Sequence, residues 1–322
     1  QQPLNSFLQQ SGTTSFLVVH QNKLVCERYF NGYTADSIVT SLSITDVVIS
    51  ALVGIALDEG VLPGLDSSVL QQIPELTSRI SPALTIRHLL CMSSGLLYRE
   101  GRTLWSDESR IQYGPDLPQQ LARCESIEPA GRYYHYNRYN VLLLGQLLEK
   151  ATGMTVSDYC AEKLWSQFGA EQPASWNLDS DDSGFAKMDS GFSATARDFA
   201  RLGLLYLHQG RFEKQQVIPA WWVKQSTSLP SFDEAADYQR YLSRNKPPLG
   251  QWVAKPTGYY KYLWWGHRNG PHQESDFFAL GDHGQFIYCS PLHDTVIVRF
   301  GKRWGHIDWW PTLFRELITT LG

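Results

Sequence analysis

The sequence has few cysteines, and their arrangement is typical of neither a disulfide framework nor a metal site. The five cysteines among the 322 residues are an odd number and lie far apart, without a C-x-x-C pair or a Cys/His cluster at zinc spacing: Cys26, Cys91, Cys124, Cys160 and Cys289. Small chains that depend on disulfides carry dense, even-numbered cysteines instead. We therefore expect no metal ion and no cofactor.

Long apolar runs and an excess of positive charge are also missing. The longest apolar run, residues 47–57, is interrupted by Ser50 and Gly54. It falls well short of the roughly 20 residues that a membrane span needs. Lys and Arg number 28 against 32 Asp and Glu, which gives a net charge of -4 and no basic field for a phosphate backbone. We expect neither a membrane span nor a nucleic-acid partner.

No targeting segment is visible at the start of the chain. Residues 1–10 contain neither the basic region nor the apolar region of a secretory signal. The chain begins at Gln1 without an initiator Met, so an export signal has been removed or never existed. An exported and a cytoplasmic location both stay open, and we favour a mature exported chain.

The residues that are present are typical of a globular protein with both strands and helices. Hydrophobic residues make up 43% of the chain and charged residues 19%. Short segments rich in β-branched and aromatic residues predict strands at residues 14–20, 23–30, 262–266, 277–280, 285–289 and 295–300. The longest stretches with helical spacing of apolar residues are 43–60, 140–152, 195–209 and 310–321. Strands at both chain ends with helices between them predict an α+β fold whose sheet is assembled from both ends.

The first long predicted helix carries a pattern that resembles a known superfamily. Residues 38–60 (IVTSLSITDVVISALVGIALDEG) resemble the serine β-lactamase and penicillin-binding-protein-like superfamily. The resemblance is to its branch of class C β-lactamases, esterases and nylon-oligomer (6-aminohexanoate-dimer) hydrolases. Further segments follow that branch in order and spacing, at residues 84–95, 130–153, 190–210, 217–223, 262–266 and 281–288. The resemblance covers nearly the whole chain.

The resemblance implies a fold and a division of the chain. The fold is α+β and β-lactamase-like, with an antiparallel sheet flanked by helices and an inserted all-helical domain. Residues 1–65 and 185–322 are expected to form the α/β body, and residues 66–184 the helical domain. The family's active site lies in the cleft between these two parts.

The first family motif, Ser-x-x-Lys, is altered in this chain. In the family, one helical turn places the lysine amine beside the serine hydroxyl as a base. Ser43 falls on the nucleophile and Asp46 on the lysine, so that the motif is Ser-Ile-Thr-Asp. No lysine occurs between Lys23 and Lys150, so a shifted frame does not restore the motif. The resemblance implies Ser43 as the nucleophile and an altered proton transfer at Asp46.

The second family motif, Tyr-x-Asn or Tyr-x-Ser, is matched by Tyr136, Asn137 and Arg138. Tyr136 corresponds to the tyrosine that helps to move the serine proton. Arg138 stands where the family has a small polar residue that touches both substrate and lysine. An ion pair between Asp46 and Arg138 is expected to fill this space. Asn137 and Arg138 are candidates for substrate binding, with Arg138 as an anchor for a carboxylate.

The third family motif is matched by Gly-Asp-His-Gly-Gln at residues 281–285. In the family this segment edges the cleft, and its small residues let the substrate lie against a strand. His283 is a candidate catalytic residue, and Gly284 and Gln285 are candidates for substrate contact. Backbone N–H groups near Gln285 and at Ser43 are the expected oxyanion hole.

Each candidate also has a purely structural alternative. Ser43 suits a helix N-cap, and Asp46 suits the first turn of a helix, where an acid meets the helix dipole. Tyr136 and His283 suit hydrogen-bonded positions in the core. Trp265 is a candidate for the cleft wall, with ordinary packing as its alternative.

Proton removal from Ser43 decides whether such a site works. An aspartate has an ordinary pKa of about 3.9, which makes it a poor base at neutral pH, and an ion pair with Arg138 lowers that pKa further. His283 or an ionised Tyr136 is an alternative base. Burial of Asp46 without an ion pair would instead raise its pKa.

Two functions follow from these expectations. The first is a serine hydrolase that acts on a small-molecule ester, amide or peptide-like substrate through an acyl-Ser43 intermediate, with an altered and weakened proton transfer. The second is a catalytically inactive pseudoenzyme that uses the cleft to bind a peptide, a cell-wall fragment or a small carboxylate. We favour the hydrolase. The oligomeric state stays open.

Overall fold

The structure is a computed structural model, and it describes residues 4–76, 79–101, 103–238, 257–270, 274–307 and 309–321. Its helices are α1 (Leu4–Gln10), α2 (Thr45–Asp58), α3 (Val69–Gln72), α4 (Ile86–Leu90), α5 (Asp107–Tyr113), α6 (Leu117–Leu121), α7 (Arg138–Thr152), α8 (Val156–Lys163), α9 (Ala196–Leu207), α10 (Ala220–Thr227) and α11 (Trp310–Thr319). Its strands are β1 (Thr13–His20), β2 (Lys23–Tyr29), β3 (Ile38–Thr40), β4 (Ser175–Trp176), β5 (Phe192–Thr195), β6 (Arg211–Phe212), β7 (Gln215–Gln216), β8 (Gly258–Lys261), β9 (Trp264–His267), β10 (Asp276–Gly281), β11 (Gln285–Ser290) and β12 (Thr295–Gly301). An antiparallel sheet flanked by helices confirms the predicted fold class.

The main sheet has seven strands in the order β2-β1-β12-β11-β10-β9-β8, and neighbouring strands are antiparallel. β1 and β2 form the predicted hairpin, in which Gln21 and Asn22 have φ values of 49° and 60°. Two such left-handed residues suit the turn type that matches the twist of paired strands. β1 pairs on its other side with β12, so both ends of the chain contribute to one sheet, as predicted.

Two helices cover opposite faces of this sheet. Side chains alternate between the faces of β11, so Ile287 points away from its neighbours Phe286 and Tyr288. Gly203 of α9 lies against Ile287, because a Cβ at Gly203 would come within 2.9 Å of that side chain. Phe314 of α11 packs against the rings of Phe286 and Tyr288, at centroid distances of 5.4 and 5.6 Å. The core therefore has a layer on each side of the sheet.

A small second sheet, in the order β3-β5-β4, leads the chain towards α2. β3 pairs with β5 from Ile38 opposite Thr195 to Thr40 opposite Ser193. Sequence patterns do not predict this sheet, because strands of two to four residues show no clear alternation. Since β3 ends at Thr40, the second sheet fixes the direction from which the chain reaches Ser43.

The predicted apolar helix is present as α2 and lies inside the molecule. Every residue from Thr45 to Ala56 is buried, and the helix packs against α7, α8 and α10. Gly54 admits an aromatic ring, because a Cβ there would come within 2.2 Å of Trp222. Burial on all sides makes α2 a rigid support for the residues at its start.

The segment between residues 66 and 184 contains α3 to α8 and the short strand β4. α7 is the longest helix of this segment, and it ends at Gly153, whose φ of 69° gives the expected left-handed C-cap. The boundaries of a body and a helical domain stay a prediction. Within the described ranges, no helix has the length and apolar character needed to cross a bilayer.

Candidate active site

Hydrogen bonds to β5 fix the backbone around Ser43. The Ser41 N–H donates to the Phe192 carbonyl at 2.8 Å, and the Phe192 N–H donates to the Thr45 hydroxyl at 3.2 Å. The same hydroxyl donates to the Leu42 carbonyl at 2.6 Å. Leu42 has a φ of 51°, a left-handed conformation that a leucine rarely adopts. The residue before Ser43 is therefore held in a sharp turn by contacts on both sides.

Ser43 and Asp46 stand one helical turn apart at the start of α2. Ser43 lies in a 3-10 turn, Leu42–Ile44, and is partly exposed, whereas Asp46 is only 3% exposed. The N-cap residue of α2 is Ile44, which makes no side-chain capping bond. The capping alternative for Ser43 is therefore wrong, and Asp46 is not at a solvated helix end.

Tyr136 connects these two residues. Its hydroxyl donates a hydrogen bond of 2.5 Å to Oδ2 of Asp46. Ser43 lines the same cavity as this phenol, and hydrogen bonding by the serine side chain lowers the pKa of Tyr136. Oδ1 of Asp46 is buried and has no hydrogen-bond partner among the residues that the structure describes. The three side chains form a row in which the tyrosine separates the serine from the carboxylate.

Burial is the main influence on the pKa values of Asp46 and Tyr136 in this row. It raises the pKa of Asp46 well above its usual range, and the nearby Asp189 raises it further, while the Tyr136 hydrogen bond and Arg138 act in the opposite direction. Burial also raises the pKa of Tyr136, and the negative charge of Asp46 raises it further. Asp46 is therefore a far stronger base than an exposed aspartate.

The predicted ion pair between Asp46 and Arg138 is wrong. Arg138, the first residue of α7, instead pairs through Nε with Asp189, whose side chain is fully buried. Its Nη2 atom donates to Gln112 at 3.2 Å and to Ser190 at 3.1 Å. These contacts hold the guanidinium at the wall of a cavity next to Ser43, and its role as a carboxylate anchor stays a prediction. Sequence patterns contain no signal for Asp189, because the pair joins residues 51 positions apart.

The third motif lies beside the backbone of Ser43. A Cβ built on Gly281, the last residue of β10, would lie 2.7 Å from the Ser41 carbonyl oxygen and 3.4 Å from the Ser43 nitrogen. Only glycine lets the strand approach this closely. His283 follows with a φ of 65° and an exposed side chain, and Gln285 pairs with Gly281 across the turn. The end of β10 thus lies directly beside the backbone of Ser43.

Gly284 belongs to a buried contact behind the turn. Its carbonyl and that of His283 accept hydrogen bonds from Nη1 of Arg299. The Arg299 side chain also donates from Nε to the Thr13 hydroxyl and from Nη2 to the carbonyls of Ser11 and Arg303, and it lies 3.9 Å from the ring centre of Trp310. Arg299 is fully buried, and burial lowers its pKa to about 9. One arginine therefore ties the cleft turn to both ends of the chain.

Two other candidates have clear structural contacts. Asn137 caps α7, because its Oδ1 accepts a 3.0 Å bond from the Tyr139 N–H, and its Nδ2 donates to the Leu96 carbonyl. Trp265 of β9 stacks on Tyr136, with ring centres 6.2 Å apart and an angle of 26° between the planes. Trp265 thus lies at the cleft, whereas Asn137 orients the helix that carries Arg138.

Two small cavities meet at Ser43. One, of about 130 Å³, is mostly apolar and is lined by Ser43, Tyr136, Trp265, Leu280, Gly281, Asp282, His283 and Trp304. The other, of about 120 Å³, is polar and is lined by Leu42, Ser43, Tyr98, Glu100, Glu108, Gln112, Tyr136, Arg138, Ser190 and Asp282. The predicted residues Ser43, Tyr136, Trp265, His283 and Arg138 are thus brought together. Gly284 and Gln285 line neither cavity.

The polar cavity is acidic. Glu100, Glu108 and Asp282 line it, and Arg138 is the only cation among its described lining residues. Glu100 and Glu108 could not be found from the sequence, because they carry no motif, whereas Asp282 lies within the third motif at residues 281–285. No cluster of three or more His, Cys, Asp or Glu side chains in the described ranges is placed to hold a metal ion.

The sequence match places the chain in a family. Residues 5–307 match the family described as Beta-lactamase. The chain belongs to the beta-lactamase family. It is 25% identical over 313 residues to a 6-aminohexanoate-dimer hydrolase from Paenarthrobacter ureafaciens, which covers 93% of this chain and 75% of that protein. The predicted superfamily and branch are therefore confirmed.

Solved structures of the beta-lactamase family have the same fold. A class C beta-lactamase from Rhodobacter sphaeroides superposes with a TM-score of 0.70 and 16% identity, over 98% of this chain and 97% of that one. EstCE1, a hydrolase with promiscuous acyltransferase activity, superposes with a TM-score of 0.74 and 14% identity, over 97% and 94% of the two chains. The beta-lactamase family comprises serine hydrolases that act on small esters and amides.

Proposed function

We propose that this chain is a serine hydrolase in which Asp46 takes the part of the family's lysine. The observation that carries the proposal is the row Ser43, Tyr136 and Asp46, with the 2.5 Å hydrogen bond from Tyr136 to the buried carboxylate. A nucleophile within reach of a base that is itself oriented by a third group is the arrangement needed for covalent catalysis.

The row supports a balanced proton transfer. Oγ of Ser43 attacks the substrate carbonyl, its proton passes to Tyr136, and the phenolic proton of Tyr136 passes to ionised Asp46. The N–H of Ser43, beside Gly281, is the candidate donor to the oxyanion. When the intermediate collapses, the proton returns through Tyr136 to the departing alcohol or amine. Water then releases the acyl group from Ser43, with the same row removing a proton from the water.

The raised pKa makes Asp46 suitable for this role. A general base works best when its pKa lies near the working pH. Because Asp46 is buried and is not ion-paired, its pKa moves towards that range, and the objection that an aspartate is too weak a base loses its force. The lack of a lysine amine still weakens the activation of Tyr136, so we expect a slow hydrolase.

Labelling of Ser43 tests the proposal. We expect a fluorophosphonate to add one adduct mass to the intact protein and the Ser43→Ala variant to stay unlabelled, because only an activated serine attacks this probe at a useful rate. Mass spectrometry of the intact chain, with circular dichroism to show that both proteins are folded, is the measurement. A folded wild type without an adduct would instead support the inactive, binding homologue.

The charges at the cleft indicate an uncharged or cationic substrate. Arg138 is engaged by Asp189, and Glu100, Glu108 and Asp282 line the polar cavity. A small neutral or cationic ester or amide fits these surroundings. The 6-aminohexanoate dimer, after which the similar hydrolase is named, carries an ammonium and a carboxylate at neutral pH, so its cationic methyl ester is the first compound of this kind to test.

We expect a carboxylate to slow acylation. A penicillin, which carries one carboxylate, should label Ser43 at least about 10-fold more slowly than the methyl ester of the same penicillin, because like charges across a binding surface are unfavourable. The two probes differ only in this charge, so each is the control for the other. Faster labelling by the penicillin than by its methyl ester would show that a cation in the cleft binds the carboxylate.

A further inference from the structure

The contact between Arg138 and Asp189 is buried and close to the proposed proton row. Asp189 is 1% exposed, and it lies three residues before β5, the strand that also holds the backbone around Ser43. Its Oδ2 accepts from Nε of Arg138, and its Oδ1 is buried without a partner. Ser190 accepts a second bond from the same guanidinium. The segment before β5 therefore determines where this cation lies.

Few charged groups face Asp46. Tyr136 approaches it from the loop before α7, Arg138 from the first turn of α7, and Asp189 from the segment before β5. Ser43 lies in the turn before α2, and Tyr260 of β8 acts on Tyr136, the neighbour of Asp46. Arg138 is therefore the one cation that acts on Asp46 among these described neighbours.

Without Asp189, the guanidinium would have a different partner. Asp46 has one unpartnered carboxylate oxygen, and a buried arginine requires an acceptor. Two opposite charges attract more strongly in the low-dielectric interior than in water, which favours a new acidic partner. Among the described acids near Arg138, Glu100 bonds to His135 and Glu108 accepts from the Gly101 N–H. Asp46 is buried and the Arg138 charge already acts on its carboxylate, so we expect Asp46 to become that partner.

We propose that Asp189 is a positioning residue that holds the Arg138 guanidinium away from Asp46, so that Tyr136 is the sole hydrogen-bond partner of that carboxylate within the described part of the chain and Asp46 stays free to receive a proton. This inference rests on the proposed function for its catalytic meaning. The placement of Arg138 itself does not depend on activity.

The effect of removing the Asp189 charge has a definite sign. Asp189 raises the pKa of Asp46 and Arg138 lowers it. An Asp189→Asn change removes the first effect and strengthens the second, so the pKa of Asp46 falls. A weaker base then takes the serine proton, and we expect labelling of Ser43 at neutral pH to slow about 10-fold. The pH at which labelling reaches half its maximum should move to lower values.

Two measurements on four proteins test the inference. The proteins are the wild type, Asp189→Asn, Asp189→Asn with Arg138→Gln, and Asp198→Asn as the matched control. Asp198 is a fully buried carboxylate that pairs with Arg201 of α9 at 3.3 Å, so the control removes a comparable ion pair outside the cleft. The first measurement is the rate of fluorophosphonate labelling against pH.

The second measurement needs no activity. In each protein, the free energy of unfolding in urea is compared with that of the same protein carrying Asp46→Asn, from pH 4 to pH 9. The pH dependence of this difference reports the pKa of Asp46 directly. Asp189→Ser serves as a second neutral variant if the asparagine protein does not fold.

Each measurement yields a midpoint pH, one for labelling and one for the stability difference that reports the Asp46 titration. We expect both midpoint pH values to fall in Asp189→Asn, to rise again when Arg138→Gln removes the released cation, and to stay unchanged in Asp198→Asn. An unchanged unfolding midpoint in Asp189→Asn would overturn the inference. If the wild type is never labelled, the proposed function fails. The difference in the Asp46 titration midpoint between Asp189→Asn and the double variant still reports whether the released Arg138 acts on Asp46.

Discussion

Asp46→Asn is expected to slow the labelling of Ser43 about 100-fold to 10,000-fold, which is the range for loss of a general base. Asparagine has the shape of the protonated carboxyl and still accepts the hydrogen bond from Tyr136, but it cannot take up a proton. The structure around Ser43 is therefore preserved, but the row of Ser43, Tyr136 and residue 46 no longer ends in a proton acceptor. Rates of fluorophosphonate labelling, followed by intact mass, give the comparison.

The same substitution is expected to increase stability at neutral pH. The folded-state pKa of Asp46 is raised, so between about 3.9 and that higher value the folded protein keeps a proton that the unfolded chain has lost. The stabilising contribution of the wild-type residue is complete below about 3.9 and is lost as the pH rises through the folded-state pKa. Urea unfolding should therefore show Asp46→Asn gaining on the wild type as the pH increases.

Ser50→Ala is the matched control for the slower labelling and the higher stability expected of Asp46→Asn. Ser50 is buried one turn further along α2 and donates a 2.7 Å hydrogen bond to the Tyr262 carbonyl. Its removal should cost about 1 kcal/mol of stability and leave labelling unchanged. Lower stability together with slow labelling in Asp46→Asn would show that Asp46 has a structural role and is not the base.

Arg299→Met is expected to lower the free energy of unfolding by at least about 3 kcal/mol. The change leaves the hydroxyl of Thr13 and four carbonyls without this donor, and the bonds to Thr13, Gly284 and Ser11 are buried. Each unsatisfied buried group costs about 1–3 kcal/mol. Methionine replaces much of the apolar volume, so the loss reports mainly the hydrogen bonds. The midpoint of urea unfolding measures it.

Two further arginine variants show whether the buried contacts are the cause. Arg299→Lys keeps the charge and some of the donors, so it should lose less than Arg299→Met. Arg315 of α11 is 42% exposed and lies 3.8 Å from Asp276, so Arg315→Met should cost less than about 1 kcal/mol. Equal losses in Arg299→Met and Arg315→Met would contradict the role of Arg299 in holding the cleft turn.

Local patterns account for most of what the sequence predicted. The β1–β2 hairpin depends on two adjacent turn residues, Gln21 and Asn22, and the end of α7 depends on Gly153, so both are visible in a few neighbouring residues. The helix α2 is predicted by its apolar content. The family motifs also placed Ser43, Asp46 and Tyr136, which the structure brings into one row.

The parts that could not be predicted depend on distant contacts. The expected partner of Arg138 was Asp46, but the segment before β5 brings Asp189 to the same guanidinium. The pairing of β3 with β5 also joins residues far apart in the chain. Opposite charges at motif positions indicate that two side chains are near one another, but a third charge from elsewhere decides which pair forms.

The pairing of β1 with β12 has a consequence for synthesis. Thr13 pairs with Gly301, 288 residues later in the chain, so the central strands of the sheet cannot meet until β12 has left the ribosome. Helices such as α7 depend on nearby residues and can form earlier. Until β12 emerges, β1 is paired with β2 on one edge only, and its other edge and its apolar side chains are uncovered. Such a nascent chain is prone to aggregation. A ribosome-bound chain that ends before β12 should therefore depend on a chaperone that shields β1.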